Sequence, residues 1–237
     1  METGNFTWKG INFRYEIPYR SKSDRYHQVF ATHELKHDGY IRMFSRTTGK
    51  IGIPTQSMKL YTTNLNIDIN NLKKLAVVGS IKVLAQASRT VGGGTKAAIY
   101  LTDGSKYVLL YKLSIDRQVT DGESVSLDGN DIVLIKSFGR WVVIDLQKRT
   151  HEVNLSSLDL TKPLNLIFET YSVGGVYRGD TSASITIKDI VVEYTTAPTP
   201  TAPSGAPPAK PDKTKYYALA GLAGLSALGY LLLKKKR

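Results

Sequence analysis

AAIYLTDGSKYVLLYKL, residues 97–113, decides the fold. Two apolar runs rich in aromatic and branched side chains flank Asp103-Gly104. That pattern predicts two strands folded back on each other through an Asp-Gly turn. The same rhythm extends in both directions. Ile11, Phe13, Tyr15 and Ile17 alternate with Asn12, Arg14 and Glu16, as in a half-buried strand. Leu164, Leu166 and Phe168 alternate with Asn165 and Glu169. Asp128-Gly129 separates SVSL from DIVLIKSF, and Phe138-Gly139 precedes RWVVIDL. Toward residue 194, Ile185 and Ile187 lead one face while Ile190, Val192 and Tyr194 lead the other, which predicts a bulge near Asp189. Helical pattern is confined to a short turn over Asn70–Leu75. Many strands without an internal repeat predict an all-β fold, an antiparallel jelly-roll or β-sandwich head over residues 1–194.

The totals narrow the chemistry. The chain has 237 residues and no cysteine, which excludes disulfides, cysteine metal centres and a thiol nucleophile. The net charge is +12, but residues 208–237 carry seven Lys/Arg and one Asp, so 25 cations face 19 acids in the rest, a surplus of six. That surplus forms no run and no stripe interleaved with aromatics, which argues against nucleic acid as a partner.

After residue 194 the composition changes. Residues 195–215 contain six of the nine prolines and read as a Pro/Thr-rich, semi-rigid stalk. Residues 216–233, YYALAGLAGLSALGYLLL, carry no charge. As a helix they would span about 27 Å, enough for the hydrocarbon core of a bilayer. Tyr216, Tyr217 and Tyr230 sit where aromatic rings prefer the headgroup level, and Lys234, Lys235, Lys236 and Arg237 close the chain. The expectation is a single-pass anchor, with residues 234–237 as an inner-side tail and the head outside. Ala220 and Gly224 have the small-residue spacing that lets two such helices pack, so a homo-oligomer is an open alternative. Met1–Arg20 has no apolar core, so the route of translocation is left open.

NFTWKGINF, with Trp8 and Gly10, resembles the first strand of concanavalin A-like lectin and glucanase sandwiches. RWVVIDL, PLNLIFETYS and SASITIKDIVVEY resemble the closing strands of the same jelly-roll superfamily. The resemblance spans most of the head and implies a sandwich that in that superfamily serves glycan binding, glycoside hydrolysis or capsid-like assembly. Head, stalk, single helix and basic stop together resemble, in layout, the stalked surface proteins of archaea and their viruses.

Three constellations carry candidate chemistry. His33-Glu34-Leu35-Lys36-His37 matches H-E-x-x-H, in which two imidazoles on one helical face hold zinc and the glutamate is the general base. Lys36 inside it and Asp38-Gly39 after it point instead to strands joined by a polar loop. Glu169 and Glu193 form a carboxylate pair of the kind glycosidases use, if their strands are neighbours. Trp8, Trp141, Tyr171 and Tyr177, with Arg178 and Asp180, are candidates for a sugar-stacking platform in which aromatic faces lie beside polar groups. Asn5-Phe6-Thr7 and Asn154-Leu155-Ser156 are glycosylation triplets open to use if the head faces outside.

The sequence therefore predicts a non-enzymatic, membrane-anchored surface protein that needs no cofactor. Its partners would be the lipid bilayer and glycans or envelope or capsid proteins. The alternative is a membrane-tethered zinc hydrolase using His33, Glu34 and His37.

Overall fold

The structure is a computed structural model that describes residues 1–18, 30–49, 54–87, 94–115, 123–127, 132–145, 149–174 and 179–195. The stalk beyond Thr195, the anchor residues, Tyr177 and Arg178 lie outside the described residues. Among the described residues no helix is long and apolar enough to cross a membrane.

The strands are β1 (Glu2–Trp8), β2 (Ile11–Ile17), β3 (Phe30–Lys36), β4 (Ile41–Gly49), β5 (Thr55–Thr62), β6 (Leu72–Ala87) and β7 (Gly94–Thr102). They continue with β8 (Tyr107–Ile115), β9 (Glu123–Leu127), β10 (Ile132–Ser137), β11 (Arg140–Ile144), β12 (Thr150–Val153), β13 (Asn165–Val173) and β14 (Gly179–Tyr194). Two antiparallel sheets form the sandwich, one in the order β1-β2-β5-β13-β7-β8 and the other in the order β12-β11-β10-β6-β14-β4-β3, with β9 also on β6. The chain changes sheet after β2, β4, β5, β6, β8, β12 and β13, so consecutive strands are often in different layers.

Alternation explains the layers. Phe13, Met58, Leu60, Phe168, Ile99 and Leu101 point inward from the first sheet and meet Ile41, Met43, Leu75, Leu134 and Ile185 from the second, all fully buried. Removing one of the phenylalanine rings, as in Phe168→Ala, costs about 3–5 kcal/mol in such a core. Toward the end that holds the N-terminus, hydroxyls replace hydrocarbon. Ser45 bonds Thr170 at 2.8 Å, Thr47 bonds Thr181 at 2.8 Å, and the Ser172 hydroxyl donates to the Thr181 carbonyl at 2.7 Å. Each buried hydroxyl has a partner, as burial demands.

Both long edges of the sandwich are closed by histidines. His37 stacks on Phe6 with ring centroids 4.3 Å apart, and His33 Nε2 lies 3.8 Å from the Glu2 carboxylate, joining β3 to β1. On the other side His151 Nε2 donates to the Leu110 carbonyl at 3.1 Å, at the register shift between β7 and β8.

The bulge expected near Asp189 is present as a register shift between Ile187 and Asp189 on β6. The strands approach so closely there that a Cβ on Gly79 would lie 1.8 Å from the Thr186 carbonyl oxygen. Three local expectations change. Thr102 pairs with Tyr107, so the first hairpin turns through four residues. Asp103 drives that turn, its Oδ1 accepting from the Ser105 and Lys106 amides at 2.8 and 2.7 Å. SVSL and DIVLIKSF do not form a hairpin around Asp128-Gly129, because β9 and β10 both run antiparallel to β6 along the same edge. No helical turn forms over Asn70–Leu75, because β6 begins at Leu72. Phe138-Gly139 is a two-residue turn with φ of 49° and 77° between Ser137 and Arg140.

Candidate functional site

The outer face of the six-stranded sheet gathers polar and aromatic side chains from four adjacent strands. Residues that alternate with the core positions must point outward, and the register aligns them in rows. Arg14 lies opposite Tyr61, which lies opposite Ile167, which lies opposite Tyr100. One row along, Glu16 faces Lys59, Lys59 faces Glu169, and Glu169 faces Ala98. Next, Ser57 faces Tyr171 and Tyr171 faces Lys96.

Two matched units occupy this face. The Tyr61 hydroxyl donates to Glu16 Oε2 at 3.0 Å, and Arg14 pairs with Glu16 Oε1. The Tyr100 hydroxyl donates to Glu169 Oε2 at 2.9 Å, and Lys96 Nζ lies 2.7 Å from the same oxygen. Each unit is one phenol, one carboxylate and one cation, and Lys59 stands between the carboxylates in the register. Burial, then the bond to Glu16, pushes the Tyr61 phenol up to about 12. Burial, then the charge of Glu169, likewise raises Tyr100. Burial opposes the charge of Lys96, but its bond to Glu169 and that carboxylate's charge hold the ammonium above its ordinary value. Glu16 and Glu169 keep side-chain exposures of 17% and 13%, so each unit is packed yet open on its outer surface. Tyr100 also meets Tyr107 edge to face at 5.3 Å, which fixes its ring. The face thus offers oriented ring surface beside donors and acceptors, the chemistry that stacks and hydrogen-bonds a polyhydroxylated ring.

Of the residues singled out in the sequence, the structure brings only Tyr171 and Glu169 to this face. Trp8 is core, buried against Phe13 at 6.4 Å with Lys9 Nζ 4.8 Å above its ring. Trp141 packs half-buried against the core with Lys136 Nζ 5.9 Å from its ring, on the sandwich side of β11. The enclosed Trp8 indole offers no open face, and Trp141 lies on a different sheet from the tyrosine face. Asp180 is fastened to Arg46, whose Nε donates to Oδ1 at 3.0 Å.

The H-E-x-x-H alternative fails on backbone geometry. Residues 33–36 lie in strand β3. On a strand, positions four apart are separated by about 13 Å, too far for two imidazoles to share one ion. Glu34 is instead paired with Lys36 at 2.8 Å, whose hydrogen bond holds the carboxyl below its ordinary value. Among the described residues no group of three or more potential ligands is placed to hold a metal ion. The Glu169–Glu193 pair also dissolves, because the chain changes sheet between β13 and β14, and Glu193 pairs with Lys74 at 3.7 Å on the other layer.

No family model and no curated protein matches this chain. Among solved structures it is similar to a loop-swap mutant of Necallimastix patriciarum Xyn11A, at 8% identity and TM-score 0.31 over 81% of this chain and 95% of that one. It is also similar to a non-specific endo-β-1,3(4)-glucanase of family GH16, at 10% identity and TM-score 0.27 over 79% and 95%. A family 11 carbohydrate-binding module from Clostridium thermocellum, in complex with a mixed-linked tetrasaccharide, aligns at 10% identity and TM-score 0.23 over 78% and 87%. At these identities and scores the likeness assigns neither a site nor an activity. The resemblance to concanavalin A-like sandwiches is met at the level of the two-sheet all-β class, and the likeness in layout to archaeal surface proteins rests on residues outside those described.

Proposed function

We propose that this chain is a non-enzymatic surface protein whose head binds glycans on the outer face of the six-stranded sheet. In this reading residues 216–233 hold it to a membrane. The observation that carries the glycan reading is the pair of phenol–carboxylate–cation units, Tyr61–Glu16–Arg14 and Tyr100–Glu169–Lys96, on one open sheet face. Tyrosines pinned through their hydroxyls present fixed rings without losing further rotamer freedom on binding, which is how an aromatic surface gains affinity for a flat ligand. The bonded carboxylates keep outward lone pairs beside cationic donors, so a sugar's hydroxyls find both partners. Membrane attachment is supported by the uncharged 18-residue stretch and its four terminal cations.

A glycan array probed with the full chain in nanodiscs tests the reading. Retention of at least one saccharide class, lost on Tyr61→Ala and Tyr100→Ala together, is the expected result. Release of reducing sugar from a retained glycan would overturn the non-enzymatic part. Protease shaving of intact cells or particles tests the anchor and its direction: cleavage near residues 195–215 without membrane rupture places the head outside.

A specific observation favours assembly as a second role. On the outer face of the eight-stranded sheet, Val133, Ile135, Val142, Ile144 and Val191 surround Ala76, which is itself buried at 1% exposure. Pairs Lys74–Glu193 and Arg140–Glu152 border this apolar stripe. An apolar centre with a charged rim suits packing against another protein, and cross-linking of Val142→Cys between copies reads it directly.

A further inference from the structure

We propose that the end of the head from which the C-terminal segment departs rests on the lipid bilayer, with the Phe138 ring seated among the headgroups. The proposal depends on the membrane reading of residues 216–233. Three independent features of the head converge on it.

The first is where the exposed apolar side chains are. Tyr194 lies opposite Leu72, and the Thr195 amide donates to the Asn71 carbonyl at 2.9 Å, so the chain leaves the sandwich beside the start of β6. The turns at 37–40 and 138–139 lie toward this end of the eight-stranded sheet by the registers Ile187–Ile41 and Ile135–Lys74. The turn 103–106 and the end of the loop 154–164 share one end of the six-stranded sheet by the registers Thr102–Tyr107 and Asn165–Thr102. The Asp68 amide, which donates to the Tyr194 hydroxyl at 3.4 Å, and the Ile67–Leu164 bridge bring the two ends together. Those segments carry Tyr40, Phe138 and Leu160, exposed at 41%, 103% and 37%, and Tyr107, 64% exposed, directly follows the turn 103–106 at the start of β8, where Leu109 is also exposed at 43%. The opposite end shows only Met1 and Phe30 among the exposed large apolar residues of the described chain.

The second is strain at Phe138. Its φ of 49° is left-handed, a conformation that crowds the Cβ of any bulky residue and that Asn or Gly would adopt freely in this two-residue turn. Lys9 has the same φ in the matching turn before Gly10, but its ammonium donates to the Lys188 carbonyl at 2.8 Å and sits over Trp8. That lysine has a use within the fold. The Phe138 ring lies wholly in solvent, so what compensates its strain lies outside the head.

The third is chemistry. Phenylalanine and tyrosine at turn tips, interleaved with Lys106, Lys136 and Arg140, are the residues that favour the headgroup layer and anionic lipid. Arg140 also pairs with Glu152 at 2.7 Å, which leaves the two lysines as the freer cations of the group. A stalk of 20 residues, 196–215, reaches up to about 62 Å when extended, so a short tether does not force the contact. The end surface itself must supply the attraction.

The absence of cysteine makes a site-specific test direct. The full chain carrying Ser157→Cys, in the exposed loop 154–164, labelled with an environment-sensitive dye, is reconstituted in vesicles of phosphatidylcholine and phosphatidylglycerol in equal parts. Flotation and resistance to carbonate extraction are scored first, and extraction at that stage would defeat the anchor reading itself. In chains that stay embedded, nitroxide borne on the lipid headgroups should quench the dye at 157 several-fold more than the same dye at Thr32→Cys, near the opposite end. Phe138→Asn, which keeps the turn, should abolish that difference. Equal quenching at both positions, or dye at 157 shielded from water yet not quenched by the lipid nitroxide, would overturn the proposal; the second result would mean contact with protein instead.

Discussion

Phe138 is the residue at which local preference and global structure disagree most openly. Forcing a bulky side chain into the left-handed region costs roughly 1–2 kcal/mol, so Phe138→Asn should raise the unfolding free energy by about 1 kcal/mol. Chemical denaturation reads that gain, and an unchanged or lowered midpoint would mean the ring is held by contacts within the head. Gly79 is the opposite case. Its missing Cβ lets β6 approach β14 at the bulge, with 1.8 Å to the Thr186 oxygen where a methyl would sit. Gly79→Ala must push these strands apart and should cost at least about 2 kcal/mol, seen as a lowered denaturation midpoint. The sequence showed that Asp103-Gly104 was a turn but not that Asp103 would reach beyond it. Its second oxygen accepts the Asp159 amide at 2.9 Å, tying the hairpin to a loop 56 residues away. With the Ser105 hydroxyl, which also donates to Oδ1 at 2.8 Å, these contacts hold the Asp103 carboxyl well below its usual range, the Asp159 amide first among them. A depressed folded pKa contributes stability above the unfolded value that is lost as pH falls, so Asp103→Asn should flatten the acid limb of the stability profile.

At the scale of elements, strand existence was legible and strand partnership was not. The alternation in INFRYEI or NLIFET states which side chains share a face, and those faces are as expected. Which strands lie side by side depends on the changes of sheet between them, and no local pattern records those. Hence Glu169 was matched with Glu193 from rhythm alone, whereas its partners are Tyr100 and Lys96, on a strand some 70 residues earlier. Glu16 and Tyr61 were likewise invisible as a pair until β2 was laid beside β5. The signal that could have found them was the lysine and tyrosine at outward positions 59 and 61 of KLYT and 96 and 100 of KAAIY, read together with the register. H-E-x-x-H needs a helix that Lys36 and Asp38-Gly39 already argue against in the sequence; the polar loop expected in its place begins only at residue 37, because residues 33–36 belong to β3. Paired phenols also give this sheet an alkaline signature. Tyr61 and Tyr111 both titrate near 12 in the fold, Tyr61 through burial and the Glu16 bond, Tyr111 through burial and the charge of Asp145. A raised pKa contributes stability below the unfolded value of about 10 that is lost as pH climbs to about 12. Tyr61→Phe should remove its share of that loss, and pH-dependent unfolding monitored by tryptophan fluorescence would show a shallower alkaline limb; an unchanged slope would contradict the packed phenol–carboxylate unit.

At the scale of the whole molecule, the head presents three chemically different surfaces. The six-stranded sheet presents bonded tyrosines, the eight-stranded sheet an apolar stripe with charged borders, and the chain-exit end a set of exposed aromatics among lysines. The stalk and anchor read from the composition of residues 195–237 lie beyond Thr195, outside the described residues, whereas the head's surface became readable only through its fold. That difference makes the proposed account testable by contrast between faces. The decisive measurement compares two variants of the full chain in nanodiscs, Tyr100→Ala on the six-stranded face and Val142→Asp on the eight-stranded face, in calorimetric titration with a glycan retained by the unaltered chain. The account predicts that Tyr100→Ala weakens binding about tenfold or more, as loss of an aromatic anchor does, while Val142→Asp leaves it unchanged. Equal affinity in the Tyr100→Ala chain, or loss confined to Val142→Asp, would contradict it.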